Sequence, residues 1–113
     1  MGCGRLNRPW PLLRGRVYAV RLSNLKDEKF FLVVSNNQRN ARLPQVLAIR
    51  LTTSAKPSIP SIVELGKSDA FIGRAVCDDI VEIYGDEVVR DVGVLSPAAM
   101  TAIGRGISAA LGL

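Results

Sequence analysis

Six short apolar runs, each closed off by glycine, proline or small polar residues, are followed by one stretch of helical period. The runs are residues 16–22 (RVYAVRL), 30–35 (FFLVVS), 45–51 (QVLAIRL), 61–65 (SIVEL), 70–83 (AFIGRAVCDDIVEI) and 90–95 (RDVGVL). Their β-branched and aromatic content predicts strands, and residues 36–40, 56–60 and 84–87 carry turn chemistry between them. The run at 30–35 does not alternate, which predicts a strand buried on both faces. Gly73 is read as a bulge. At Ser96 the period changes. Ser96 is an N-cap with Pro97 at the first helical position, and Met100, Ile103, Ile107, Ala110 and Leu111 fall on one helix face. Gly104 and Gly106 weaken that helix by about 1 kcal/mol each relative to alanine, which predicts close packing against another backbone. The fold class is therefore mainly β, a small antiparallel β-barrel closed by one C-terminal helix. A chain of 113 residues makes one domain. Residues 1–13, with Pro9 and Pro11 flanking Trp10, read as a flexible tail, and 14–113 as the domain.

The chain has no histidine, which removes His-based acid–base catalysis, Ser–His and Cys–His nucleophiles and nearly all zinc sites. Neither a metal nor another cofactor is expected. The net charge is +5, distributed unevenly. Residues 1–56 hold eleven cations against Asp27 and Glu28, whereas residues 57–113 hold four cations against eight acids. A basic half joined to an acidic half predicts a face for a polyanion, with nucleic acid the commonest; frequent arginine in the proteome would give the same composition. Cys3 and Cys77 are too few and too differently placed for a disulfide framework. No secretory signal and no apolar run of about 18 residues is present, so no membrane association and a cytoplasmic location are expected.

Within this frame the chemistry falls to a few residues. Asp78 and Asp79 are adjacent on a strand and point to opposite faces, so they cannot form a dyad. Arg74, Val76 and Asp78 share a face by the same period. Lys29 opens the second run and Thr52, Thr53 and Ser54 close the third, so a cation and hydroxyls can converge on a phosphate; a solvated strand end and an ordinary turn account for them equally. Residues 36–42 (NNQRNAR) form a polar basic loop suited to nucleic acid or to a plain connection. Phosphate-binding glycine loops are absent, and the six aromatics do not form a stacking platform.

Taken in order, the segments RGRVYAVRL, KFFLVVSNN, VLAIRLTTSAK, VCDDIVEI and LSPAAMTAIGRGISAALGL resemble the MazF/PemK family of toxin endoribonucleases over residues 14–113. The resemblance implies an SH3-like barrel, akin also to CcdB, that dimerises, cleaves single-stranded RNA without metal and is silenced by a MazE-like antitoxin. It puts Lys29 at the family's catalytic basic position, Thr52 at its catalytic threonine and Asp78 at an acidic position that some members use as a base. Arg16, Ser35, Asn36, Arg39, Arg42, Thr53, Lys56 and Arg74 are the RNA-binding residues expected with them. The implied chemistry is attack of the substrate's own 2′-hydroxyl on the adjacent phosphate, which needs no protein nucleophile and suits a chain without histidine.

The chain departs from the family pattern in several places. Lys29 replaces the usual arginine, Phe30 the proline that follows it, and Arg16 the acid of the first strand. The 23–28 loop is shorter, and Val76 stands where PemK-type members have arginine. Two other readings share the fold: an RNA-binding module without activity, and a CcdB-like gyrase inhibitor. The latter uses a C-terminal tryptophan, whereas this chain ends AALGL and its one tryptophan is Trp10.

Overall fold

A computed structural model of the chain describes residues 11–22 and 26–113. All six predicted strands and the closing helix are present. They are β1 Arg16–Val20, β2 Lys29–Val33, β3 Gln45–Thr52, β4 Ile62–Glu64, β5 Arg74–Tyr84, β6 Val88–Val94 and a helix at Pro97–Leu111, α2 below. A single 3-10 turn at Gly85–Glu87 joins β5 to β6. One feature differs: residues expected as a turn form a helix, α1, at Asn37–Arg42. Six residues cannot hold a helix unaided. Here Asn36 caps it, its Oδ1 accepting from Arg39 N at 2.8 Å, and the fully buried Asn40 ties it down. Asn40 Nδ2 donates to Ser35 O at 2.9 Å, and its Oδ1 accepts from Ser35 Oγ at 2.6 Å.

The strands form one antiparallel sheet in the order β4-β5-β3-β2-β1-β6. Successive side chains alternate between its faces, and each face carries its own core. On one lie Val17, Leu32, Ile49, Leu51, Ala75 and Cys77, covered by Leu95 and by Ala99 and Ile103 of α2. On the other lie Tyr18, Val20, Phe31, Val33, Val46, Ala48, Ile83 and Val88. β2 serves both, as its unbroken apolar run predicts. Leu12, read from sequence as part of the tail, is fully buried in the second core; residues 1–10 lie outside the described part.

Among the described residues no ladder joins β4 to β6, so the sheet does not close by hydrogen bonding. The 66–73 segment crosses the gap instead. Ser96 N donates to Asp69 Oδ1 at 2.8 Å, and Ala70 Cβ packs against Gly93 of β6. The bulge lies not at Gly73 but further along β5. The neighbours Ile49 and Arg50 of β3 pair with Ile80 and Val76, so residues 77–79 have no β3 partner and β5 bends there. The helix glycines also divide. A Cβ on Gly106 would lie 2.7 Å from Cys77 Sγ, whereas Gly104 has nothing within 4 Å. Close helix-to-sheet packing therefore explains Gly106 alone.

Candidate active site

The sheet register carries the two strongest candidate residues to one place. Phe30 pairs with Leu51, which sets Lys29 opposite Thr52 one step further along. Thr52 pairs with Arg74, and Arg74 with Glu64. Four neighbouring strands thus present Lys29, Thr52, Arg74 and Glu64 as one row, about 4.8 Å from strand to strand, on one sheet face.

The strand ends are held firmly. Phe30 packs on Phe71 with ring centroids 5.2 Å apart, and the Arg90 guanidinium lies 5.8 Å from the Phe30 ring. Arg90 Nη1 in turn donates to Glu28 Oε1 at 2.7 Å. The phenylalanine that stands in place of proline therefore anchors the start of β2. On β3, Thr52 Oγ1 accepts from Ser54 N at 3.1 Å, closing a tight hydroxyl turn. Arg74 clamps that turn. Its Nη1 donates to Thr53 O at 3.3 Å and Ser54 O at 3.1 Å, while its Nε donates to Glu64 Oε2 at 2.7 Å. Its guanidinium is thus committed to shaping the turn that carries Thr52. Lys29 is half-buried, and its side chain makes no hydrogen bond or ion pair among the described residues. A half-buried lysine opposite a hydroxyl at neighbouring strand ends offers a charge and a donor to an anion.

The other expected residues are distributed unevenly. Thr53 and Lys56 are exposed on the turn and loop next to the row. Asp78 lies four residues beyond Arg74, up to about 13 Å along β5, and its Oδ2 accepts from Ser61 Oγ at 2.8 Å. The structure does not bring it to Lys29. Ser35, Asn36, Arg39 and Arg42 gather at the opposite end of β2, about 20 Å away by strand rise. There Ser35 is buried, Asn36 caps α1, and Arg39 Nη1 donates to Gln45 O at 3.0 Å; Arg42 is exposed. Arg16 stands at that same end of β1, its Nε 2.9 Å from Asp91 Oδ2.

Sequence reasoning passed over Glu64 and took Gly73 for a bulge alone. Glu64 sits on a three-residue strand whose register against β5 is not visible in the sequence. Gly73 has φ +146° and lies against the Thr52 carbonyl. Two titrations are displaced, both outside the row. Burial pushes the Tyr18 hydroxyl up, Leu13 N–H donation to it at 3.2 Å opposing the rise. Burial, with Asp78 adding to it, pushes the Cys77 thiol up to about 11, so at neutral pH it is protonated and a poor nucleophile. Among the described residues no three His, Cys, Asp or Glu side chains cluster as metal ligands. Among them, too, no helix is long and apolar enough to cross a membrane.

Comparison with known proteins bears on the family and the fold. The family model of PemK-like, MazF-like toxins of type II toxin–antitoxin systems matches residues 13–111. Endoribonuclease MazF1 of Mycobacterium bovis is 40% identical over 101 residues, covering 89% of this chain and 93% of that protein. Endoribonuclease MazF4 of Mycobacterium tuberculosis matches to the same extent. Among solved structures, a mycobacterial endoribonuclease in complex with its cognate antitoxin superposes with a TM-score of 0.83 at 39% identity, covering 90% of this chain and 96% of that one. A MazE–MazF complex from Deinococcus radiodurans shares the fold, with a TM-score of 0.78 at 15% identity over 93% of this chain and 99% of that one.

Proposed function

Because the chain belongs to the family of PemK-like, MazF-like toxins of type II toxin–antitoxin systems, we propose that it is an endoribonuclease that cuts single-stranded RNA and so arrests translation and growth. The observation that carries this reading is that the register of β2 and β3 sets a half-buried Lys29, unpaired among the described residues, opposite Thr52, on a turn that Arg74 and Glu64 hold in shape.

The substrate supplies the nucleophile. Its 2′-oxygen bonds to phosphorus as the phosphorus–O5′ bond breaks, leaving a 2′,3′-cyclic phosphate and a 5′-hydroxyl. The 2′-hydroxyl gives up its proton to solvent water, and the leaving 5′-oxygen takes one from Lys29, which solvent then reprotonates. Lys29 also balances the charge that gathers on the non-bridging oxygens, and an ammonium releases a proton more readily than a guanidinium. Thr52 donates its hydroxyl to the same phosphate. Thr53 and Lys56 extend the contact to neighbouring nucleotides. Of the carboxylates, Glu64 shares the row, whereas Asp78 is held by Ser61 further along β5.

The expected partners are a MazE-like antitoxin and a second copy of the chain, in the cytoplasm where the RNA is. The test is incubation of the purified chain with mixed-sequence single-stranded RNA in EDTA, followed by sequencing of the fragments and analysis of their ends. Cuts at one short sequence, with cyclic phosphate and 5′-hydroxyl ends, support the proposal. RNA that stays intact overturns it and returns the chain to the binding-module reading.

A further inference from the structure

Arg50 lies two residues before Thr52 on β3, so the two side chains leave the same sheet face. Its row is apolar: Phe31 pairs with it from β2 and Val76 from β5, and Ile62 of β4 pairs with Val76. Arg50 is half-buried, its Nε is shielded from solvent, and among the described residues the guanidinium has no hydrogen bond or ion pair. The other half-buried arginines are all occupied. Arg16 meets Asp91, Arg39 meets Gln45 O, and Arg74 meets Glu64.

A desolvated charged donor without an acceptor opposes folding. Between Phe31 and Val76 an aliphatic side chain would serve the sheet better, so stability alone does not explain an arginine here. Its neighbours say what it is for. Lys29 and Arg74 stand in the adjoining row, and Glu64 is the one acid among these positions. With Glu64 taken by Arg74, the acceptor that remains for this guanidinium is one brought by a ligand, and a phosphate takes the planar fork through two oxygens at once. Arg50 and Thr52 are separated by about 6.7 Å along the strand, a step close to that between successive phosphates of an extended polynucleotide.

Resting on the endoribonuclease reading, we infer that Arg50 binds the RNA phosphate next to the one being cut, fixing the strand's register over Lys29 and Thr52. It is a binding residue and takes no part in proton transfer.

The test uses the full chain and an RNA with the cut sequence carrying 2′-deoxyribose at the cut nucleotide, so that binding is read without cleavage. Affinity is measured from 50 to 200 mM salt for the wild type, Arg50→Met and Arg50→Lys, with thermal unfolding in parallel. Arg50→Met is expected to bind about ten- to a hundredfold more weakly, as for loss of a charge-assisted contact. The slope of log affinity against log salt should fall by about 0.7, the value for one phosphate contact on a single strand. Arg50→Lys should restore the slope but only part of the affinity, because the planar fork is lost. The Arg50→Met chain should unfold no earlier than wild type. An unchanged affinity and slope in Arg50→Met overturns the inference, whatever happens to binding of an antitoxin. A wild-type chain that cuts no RNA overturns the endoribonuclease reading instead, since the Arg50 measurement is of binding alone.

Discussion

Gly73 lies so close to Thr52 that a Cβ built on it would stand 2.4 Å from the Thr52 carbonyl oxygen. The contact is backbone to backbone, so no side-chain rotation can relieve it. With φ at +146°, the position is also one that other residues adopt only under strain. Gly73→Ala is expected to destabilise the chain by about 1–3 kcal/mol. It should also push the Thr52 turn away from β5, lowering cleavage more than the loss of folded protein explains. Denaturant unfolding beside activity per folded molecule separates the two effects.

Lys29→Ala and Thr52→Val should each lower kcat by about 10²–10³, the scale for removing one preorganised donor to a developing charge. Because the Lys29 side chain has no hydrogen bond or ion pair among the described residues, its removal should leave stability within about 0.5 kcal/mol of wild type. Lys29→Arg should retain part of the activity. Single-turnover cleavage with parallel thermal unfolding checks all three variants.

The two carboxylates should behave differently. Glu64→Gln loosens the ion pair that fixes Arg74, and a small displacement of the Thr52 turn should cost about ten- to a hundredfold in rate. Asp78→Asn, at a residue bonded to Ser61 away from the row, should leave cleavage unchanged. Comparable losses in both variants would show that Asp78 reaches the substrate, as the family resemblance implied.

The strands and the Lys29–Thr52 pair were legible because local patterns fix them: an unbroken apolar run makes β2, and strand ends locate the cation and the hydroxyl. Helix α1 was hidden because its stability comes from Asn40, whose partners lie on Ser35 and not in its own periodicity. Glu64 and Arg50 were invisible as site residues for another reason. Each enters through the register of β3, β5 and β4, and the residues 77–79 bulge alters that register in a way that no local propensity records. Leu12 was misread because two neighbouring prolines look like a tail even where a leucine side chain reaches the core.

The helix glycines offer a contrast in sign. Gly106→Ala would place a methyl 2.7 Å from Cys77 Sγ and 2.9 Å from Val63 Cγ2, and overpacking of this kind costs about 1–3 kcal/mol. Gly104→Ala meets nothing within 4 Å and should stabilise the helix by about 1 kcal/mol. Thermal unfolding of the two variants should move in opposite directions.

Cys77 makes stability depend on alkaline pH. Its thiol is raised from 9.0 to about 11 in the folded chain, so between those values the unfolded state loses the proton while the folded state keeps it. Unfolding then becomes easier as pH rises through that window, by at most about 2–3 kcal/mol. Urea unfolding at pH 8 and pH 11 should show a larger drop for wild type than for Cys77→Ala.

Arg74 and Glu64 shape the Thr52 turn through their own bonds, and among the described residues Lys29 carries no counter-charge that must first be displaced. On the proposed reading, restraint of such a chain comes from a partner that covers the row, mole for mole, so that activity follows the balance between the supply of that cover and synthesis of the chain itself.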